Sequence, residues 1–252
     1  MSAVKPYQLL DLFSGIGGFS LGLERTGGFE TAAFCEIEEF PRRVLAKHWP
    51  EVPCYHDIRE LTADRLAADG IAVDAICGGF PCQDLSSSGS REGLAGARSG
   101  LWFEYLRLIG ELRPAVVVVE NSPELLDGWL GDVLGPLAAL GYDAEWHCIP
   151  ASAVGAPHGR DRVWITAYSA SVGQSKPRGC VDRISSTPTA YREAVYVVDA
   201  FQGAKLPFVC RGHDGVSSKV AGPRLKALGN AVVPQIPELI GHAILAADLI
   251  AA

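Results

Sequence analysis

Short apolar runs alternate with stretches of helical apolar spacing over the first two-thirds of the chain. Runs with strand-like composition fall at Tyr7–Leu12, Thr31–Cys35, Val73–Cys77 and Ala115–Val119. Helix-like spacing falls between and after them, at Phe19–Glu24, Ile37–Trp49, Leu101–Leu112 and Leu125–Leu140. The valine-rich fourth run is typical of a strand buried on both faces. This alternation predicts an α/β fold: a mostly parallel, Rossmann-like sheet with right-handed crossovers and helices on both faces. Ligands of such sheets bind beyond the carboxyl ends of the strands.

The pattern changes from Tyr168 to about Gly222, where Ser, Gly, Pro, Thr and Arg become frequent and only Ala194–Val198 has a clear strand pattern. Helical spacing returns over Pro234–Ala252. We therefore predict a main domain over residues 1–167, a small loop-rich insert over residues 168–222, and a C-terminal segment over residues 223–252 that packs back on the main domain.

Composition narrows the class of protein. The 252 residues include 48% hydrophobic and 20% charged residues, which suits one large folded domain. Seven cysteines without a C-x-x-C pair argue against a disulfide framework and a structural zinc site. With no signal-like N-terminus and no apolar run long enough to span a bilayer, the sequence predicts a soluble protein of a reducing cytoplasm.

The formal net charge of −7 at first argues against a polyanionic partner. Basic residues nevertheless gather at Lys176–Arg183, Arg211–Lys226 and the pair Arg160/Arg162. A local positive face is therefore compatible with the acidic average.

The first predicted strand ends in D-L-F-S-G-I-G-G-F, residues 11–19, where glycines would let a ligand approach the backbone at a helix N-terminus. A tight turn without a ligand and a dinucleotide site are both alternatives. Glu36, at the end of the second strand, could accept hydrogen bonds from ribose hydroxyls. Asp57 and Ile58 could bracket an adenine, although a surface aspartate is the commoner explanation.

The stretch G-F-P-C-Q follows the third predicted strand and places Cys82 on the ligand side of the sheet. An accessible thiol with a lowered pKa can act as a nucleophile, whereas an inert loop cysteine is the plainer alternative. Glu120 ends the adjacent valine strand, where a buried carboxylate could hold a proton or accept a hydrogen bond from a ring amine.

With these motifs in this order, the sequence resembles the cytosine-C5 DNA methyltransferases of the bacterial and phage modification type. The resemblance rests on D-L-F-S-G-I-G-G, G-F-P-C-Q, E-N, G-R-D-R-V-W at 159–164 and R-L-K-A-L-G-N-A-V-V-P at 224–234. It implies that residues 168–222 are a target recognition region. It also implies double-stranded DNA as the substrate, a monomer, and a cognate restriction endonuclease that need not be bound physically.

The resemblance assigns a role to each candidate catalytic residue. Cys82 would add to carbon 6 of a cytosine flipped out of the duplex, and Glu120 would contact its N3 and amino edge. Arg162, and with it Arg160, would touch the cytosine carbonyl or a nearby phosphate; an ion pair with Asp161 is the alternative. His158 stands where the family pattern has glutamine. Contacts to DNA would come from Ser86, Ser88 and Arg91, unless that segment is simply a loop without DNA contacts.

The methyl donor implied by the resemblance is S-adenosylmethionine, and no metal is needed. Its implied binding residues are Asp11, Phe13, Gly15, Gly17, Glu36, Ile37, Asp57, Ile58, Pro81, Leu101, Asn230 and Val232. Phe13 would pack on the adenine, and Asn230 and Val232 would close over the donor, although Asn230 could instead be a helix cap.

Rival functions remain at this point. An RNA cytosine-C5 methyltransferase would keep the chemistry on another substrate, and a noncatalytic DNA-binding relative is disfavoured by the intact Cys82 and Glu120. A nicotinamide-dependent oxidoreductase would explain the glycine loop but not P-C-Q, E-N or L-G-N-A-V-V-P.

Overall fold

A computed structural model describes residues 5–81, 100–170 and 218–251 of the chain. Its strands are β1 (Tyr7–Leu12), β2 (Phe29–Cys35), β3 (Cys54–Tyr55), β4 (Ala75–Gly79), β5 (Val116–Asn121), β6 (Tyr142–Cys148) and β7 (Val163–Ser169). Its helices are α1 (Gly18–Glu24), α2 (Glu39–His48), α3 (Ala63–Ala68), α4 (Leu101–Leu112), α5 (Leu130–Ala139), α6 (Ser218–Asn230) and α7 (Gln235–Ala251). Short 3-10 turns occupy Pro123–Leu126 and Ala151–Val154.

The strands form one sheet in the order β3-β2-β1-β4-β5-β7-β6. The first five strands are parallel, and β7 pairs antiparallel with both β5 and β6. The prediction of a mostly parallel α/β sheet is confirmed. Because the chain runs outward from β1 in one direction and from β4 in the other, the β1–β4 boundary is the topological switch point, where ligands of such sheets bind.

Both faces of the sheet are covered by helices. Trp102 and Tyr105 of α4 and Val133 of α5 pack on one face, while Phe19 of α1 and Ile240 of α7 pack on the other. Residues Val116–Val119 of β5 are at most 2% exposed and alternate between the two clusters. The predicted doubly buried strand is therefore confirmed.

The structure also corrects the predicted elements. The helix expected over Leu125–Leu140 is interrupted, because Gly128 has a φ of 114° that ends the 3-10 turn before α5 begins at Leu130. Strand β4 starts at Ala75 and includes Gly78 and Gly79. The sequence-based prediction includes neither β6 nor β7. The half-exposed, polar sequence YDAEWHC of β6 lacks an apolar run, whereas β7 (VWITAYS) is mostly buried and is an element that the prediction missed.

The predicted insert lies almost entirely outside the described residues, as does Ala194–Val198. At its edges, β7 continues through Ser169 and α6 covers Ser218–Asn230. The division at residues 167 and 222 stays a prediction. In the part of the chain that is described, no helix is long and apolar enough to cross a bilayer.

Helix α1 lies so close to the start of α7 that Gly22 has no room for a side chain. A Cβ there would lie 2.1 Å from the Pro234 carbonyl oxygen and 2.7 Å from the Pro237 ring. We expect Gly22→Ala to lower the free energy of unfolding by about 2–3 kcal/mol, because backbone must move to relieve the overlap. Urea unfolding followed by circular dichroism measures it.

Gly131→Ala in α5 is the matched control, since a Cβ there meets no atom within 4 Å. It should leave stability unchanged or raise it by up to about 1 kcal/mol, because alanine favours the helix. Equal effects of the two substitutions would show that the α1–α7 contact is not as close as described.

Candidate active site

Four strand ends meet at one edge of the sheet. The carboxyl ends of β1, β4 and β5 lie side by side, with Leu12 opposite Gly78 and Gly79 opposite Glu120. Strand β7 runs antiparallel and therefore starts at this same edge, with Trp164 opposite Glu120. The loop before β7, which carries Arg160 and Arg162, is thereby brought to the residues that follow the parallel strands.

The glycine loop after β1 has a strained backbone that packing holds in place. Phe13, Gly15 and Gly17 have φ values of 52°, 54° and 84°, a region that costs a non-glycine residue free energy. A Cβ at Gly17 would lie 2.7 Å from Trp49, and at Gly18 2.7 Å from the Val232 carbonyl oxygen. At Gly15 it would meet nothing within 4 Å. Gly15 is thus the glycine of this loop at which a ligand can approach the backbone.

Glu36 lies beside this loop at the end of β2. Its buried carboxylate accepts 2.7 Å hydrogen bonds from the backbone amides of Gly15 and Glu38. Each carboxylate oxygen can accept a further bond, so this position suits vicinal hydroxyls. Ile37, next in the chain, is 52% exposed despite its apolar side chain. An acidic acceptor and an exposed apolar surface are therefore adjacent.

The turn after β3 only partly fits the prediction made for it. Asp57 is held by Arg59, with 2.5 Å between Arg59 Nη2 and Asp57 Oδ2, and these hydrogen bonds lower the pKa of the Asp57 carboxyl. Ile58 is 4% exposed and belongs to the core under α4. This burial speaks against a side-chain contact between Ile58 and a ligand.

Asp11 also lies in a different place from the one its motif suggested. It is fully buried, and its Oδ2 accepts a 2.8 Å hydrogen bond from Ser20 Oγ in the first turns of α1. Burial raises the pKa of this carboxyl to about 7. Because Asp11 points into the interior beneath the loop, the structure assigns it the anchoring of α1 in place of direct ligand contact.

Glu120 and Arg162 form an ion pair at the end of β5, with 2.8 Å between Glu120 Oε1 and Arg162 Nε. Burial raises the pKa of the Glu120 carboxyl, and the charges of Arg162 and Arg160 oppose that rise. A Cβ at Gly79 would lie 2.5 Å from Glu120 Oε2, so a side chain at this position would displace the carboxylate from where it lies. The site thus contains a carboxyl group that keeps a proton to higher pH than an exposed glutamate does.

A small pocket surrounds this ion pair. Its walls combine the loop before β7, the end of β5 and the segment between α6 and α7: Glu120, Ala151, Arg160, Arg162, Trp164, Ala231, Val232, Val233 and Ile236. Predicted residues from three separate parts of the sequence therefore line one cavity. Asn230 ends α6 and is exposed next to it. His158 is also exposed and is not among the wall residues.

Asn121 follows Glu120 in the motif E-N, and the sequence predicts no separate role for it. It is buried, its Nδ2 donates to the Phe80 carbonyl oxygen at 3.2 Å, and its Oδ1 accepts from the Ser122 amide at 2.8 Å. The Phe80 ring packs 5.2 Å from that of Trp102. These contacts fix the backbone that leads into P-C-Q. The signal was present in the motif E-N, where only the carboxylate was considered.

Several predicted residues are not placed by the structure. Cys82, Ser86, Ser88 and Arg91 lie outside the described residues, which stop at Pro81 and resume at Gly100. Pro81 and Leu101, on either side of that gap, are half-buried, and Leu101 packs against the core at the start of α4.

Comparison with known proteins decides the family. Residues 7–197 match the sequence model of a family described as C-5 cytosine-specific DNA methylase. The chain belongs to this family. In this DNA methylase family member, the matched range includes the glycine loop, P-C-Q, Glu120 and the loop before β7 that carries Arg160 and Arg162. It does not include the segment at 224–234, part of which also lines the pocket.

This chain spans less than half the length of the curated relatives that it matches. It is 36% identical over 168 residues to the type II methyltransferase M2.BsuMI of Bacillus subtilis, covering 64% of this chain and 41% of that protein. It is 35% identical over 177 residues to M.AluI of Cellulosimicrobium cellulans, covering 64% and 33%.

A solved structure shares the fold. The S. pombe Dnmt2 methyltransferase aligns with a TM-score of 0.57 at 18% identity, covering 71% of this chain and 54% of that one. At this identity, the similarity shows a shared fold and nothing about function.

Proposed function

We propose that the protein is a site-specific DNA (cytosine-5-)-methyltransferase. It would transfer a methyl group from S-adenosylmethionine to carbon 5 of a flipped cytosine through a covalent adduct with Cys82. The observation that carries the proposal is the Glu120–Arg162 pair, which lies directly beside Gly79 and the segment leading to Cys82. Family membership supplies the reaction class.

The reaction needs a nucleophile because carbon 5 of cytosine is only weakly nucleophilic. The Cys82 thiolate forms a carbon–sulfur bond to carbon 6, and the ring electrons move toward carbon 5. Carbon 5 would take the methyl group, with S-adenosylhomocysteine as the leaving group. A base then removes the carbon-5 proton, the electrons of that bond re-form the double bond between carbons 5 and 6, and the carbon–sulfur bond breaks with its electron pair going to sulfur. The thiolate is then regenerated for the next turnover.

Glu120 and Arg162 would make this addition easier. A Glu120 carboxyl whose pKa is raised by burial can carry a proton and donate it to cytosine N3 as charge develops on the ring. Its second oxygen can accept from the amino group. Arg162 orients the carboxylate through the 2.8 Å contact and can offer its remaining N–H groups to the cytosine carbonyl.

The loop after β1 and the end of β2 fit a nucleoside cofactor. The open space at Gly15 would let the cofactor approach the protein backbone. The Glu36 carboxylate would bind its ribose hydroxyls, and the exposed Ile37 side chain would contact its adenine. Phe13 and Asp57 flank this edge, and Asn230 and Val232 would close the opposite side. S-adenosylmethionine supplies the electrophilic methyl group when bound.

DNA recognition would lie in the parts of the chain outside the described residues. Cytosine inside a duplex is inaccessible from above carbon 6, so the base must be flipped into the pocket at a cost of a few kcal/mol. Ser86, Ser88 and Arg91 would contact the phosphates around the extruded nucleotide, and residues 168–222 would read the target. A monomer in the cytoplasm, with a restriction endonuclease as functional partner, completes this proposal.

Base-resolution methylation sequencing tests the proposal directly. The wild-type protein is expressed in a host without cytosine methylases of its own, and genomic DNA and RNA are both sequenced. Methylcytosine in one short DNA context is the expected result. Methylcytosine in RNA with none in DNA would contradict the assignment, as would unmethylated DNA and RNA from cells holding soluble protein that binds S-adenosylmethionine.

A further inference from the structure

Arg160 is bound to the C-terminal end of α6, which is far from it in sequence. Its Nη1 donates a hydrogen bond to the carbonyl oxygen of Gly229. The backbone of Arg160 is itself fixed, because its carbonyl oxygen accepts a 2.9 Å bond from the Ala151 amide. The guanidinium therefore extends from a hydrogen-bonded backbone to the residue immediately before Asn230.

The segment bound in this way, residues 229–234, is seated on the glycine loop. Gly18 approaches the Val232 carbonyl so closely that a Cβ would lie 2.7 Å from the oxygen, and Gly22 approaches the Pro234 carbonyl in the same manner. Farther along α6, Lys226 Nζ lies 2.8 Å from Glu38 Oε1, next to Ile37 and Glu36. The segment thus closes over the edge of the sheet that would hold the cofactor.

Arg160 is also part of the pocket around Glu120 and Arg162. It stands between two groups of residues: the ion pair at the end of β5 and the segment carrying Asn230 and Val232. A hydrogen bond from a charged donor to a backbone carbonyl is about twice as strong as one from a neutral donor. The guanidinium is planar and rigid, so it also fixes the direction of that hydrogen bond.

We infer that Arg160 is a positioning residue: by binding the Gly229 carbonyl it holds residues 229–234 over the cofactor edge, and it does not contact DNA. The inference rests on the proposed function, since it assigns the held segment to S-adenosylmethionine. It replaces the direct cytosine or phosphate contact that the G-R-D-R motif suggested for Arg160, and it leaves that contact to Arg162.

Binding measurements without turnover test this inference. Calorimetry with S-adenosylhomocysteine should show affinity about tenfold weaker in Arg160→Ala, the effect of losing a charge-assisted hydrogen bond. Arg160→Lys, which can still donate to one carbonyl, should recover most of the loss. Arg65→Ala removes an exposed ion pair with Asp69 at the end of α3 and should stay within about twofold of wild type.

DNA binding separates positioning from phosphate contact. The affinity of a random-sequence 24-base-pair duplex is measured by fluorescence anisotropy at several salt concentrations. For Arg160→Ala we expect wild-type affinity and an unchanged salt slope, whereas loss of a phosphate contact would reduce that slope by about one. A reduced slope, or unchanged S-adenosylhomocysteine affinity in Arg160→Ala, overturns the inference.

Two further readouts keep the outcomes apart. If the substitution only loosened the fold, the urea midpoint would fall and Arg160→Lys would not restore ligand affinity; this result also counts against the inference. If wild-type protein failed to bind S-adenosylmethionine or S-adenosylhomocysteine at all, the proposed function itself would fail.

Discussion

Replacing Cys82 with alanine is expected to abolish cytosine methylation while S-adenosylmethionine binding persists. Without the thiolate, carbon 6 receives no nucleophile, so carbon 5 stays too weakly nucleophilic to be methylated. Removing a covalent nucleophile lowers turnover by about 10⁴-fold or more in other enzymes. Methylation sequencing of host DNA measures the activity, and calorimetry measures cofactor binding in the same variant.

Cys148→Ala is the matched control for Cys82→Ala. Cys148 is a free, exposed thiol at the end of β6, and its removal should leave both methylation and cofactor binding at wild-type levels. Residual methylation above a few per cent in Cys82→Ala would exclude it as the nucleophile. A loss of cofactor affinity as large as the loss of turnover would contradict the separation of the two roles.

Glu120→Gln should lower turnover by about 10²–10⁴-fold, the usual contribution of a positioned acid or base. Glutamine keeps one acceptor and one donor for the cytosine edge and still offers Arg162 an oxygen, but it cannot transfer a proton. The variant therefore isolates the proton from the hydrogen bonds. Single-turnover transfer of tritium-labelled methyl groups to unmethylated DNA provides the rate.

The pH dependence of the wild-type rate gives a second check on Glu120. Its folded pKa is raised above the ordinary value, so the protonated form persists to higher pH in the folded protein and is lost as pH rises through that pKa. The wild-type methyl-transfer rate should therefore fall as pH rises through the pKa of Glu120, and this fall should be absent in Glu120→Gln. A Glu120→Gln rate within threefold of wild type would show that no proton comes from Glu120.

The alternating pattern predicted the framework of this protein well. Strand β1 and helix α4 have the predicted bounds, Tyr7–Leu12 and Leu101–Leu112. The apolar residues of these elements recur with a strong period, so the local sequence alone is enough to predict them. By contrast, β6 has an edge position and mixed side chains, so its strand state depends on pairing with β7, a contact that no local pattern encodes.

The candidate site shows the same division. The sequence predicts that the glycine loop, P-C-Q and E-N lie at one site, because each lies at the end of a strand whose position the apolar pattern indicates. It adds G-R-D-R-V-W through the resemblance to the family. Among the motif residues, Asp11 and Ile58 are predicted to contact the cofactor. Burial shows that Asp11 anchors α1 and that Ile58 fills the core, since a motif residue can act by holding the loop that contacts the ligand.

By itself, the sequence determined the α/β class and the family, and it predicted which acid and which thiol take part in the reaction, because these inferences depend on residue types at short spacings. Only the tertiary structure decided that Glu120 is paired with Arg162 and that Arg160 binds Gly229. It also decided which glycine is open to a ligand. The reason is physical: the two arginine contacts join residues 42 and 69 positions apart, and their distances are set by antiparallel pairing of β5 with β7 and by the packing of α7 on α1.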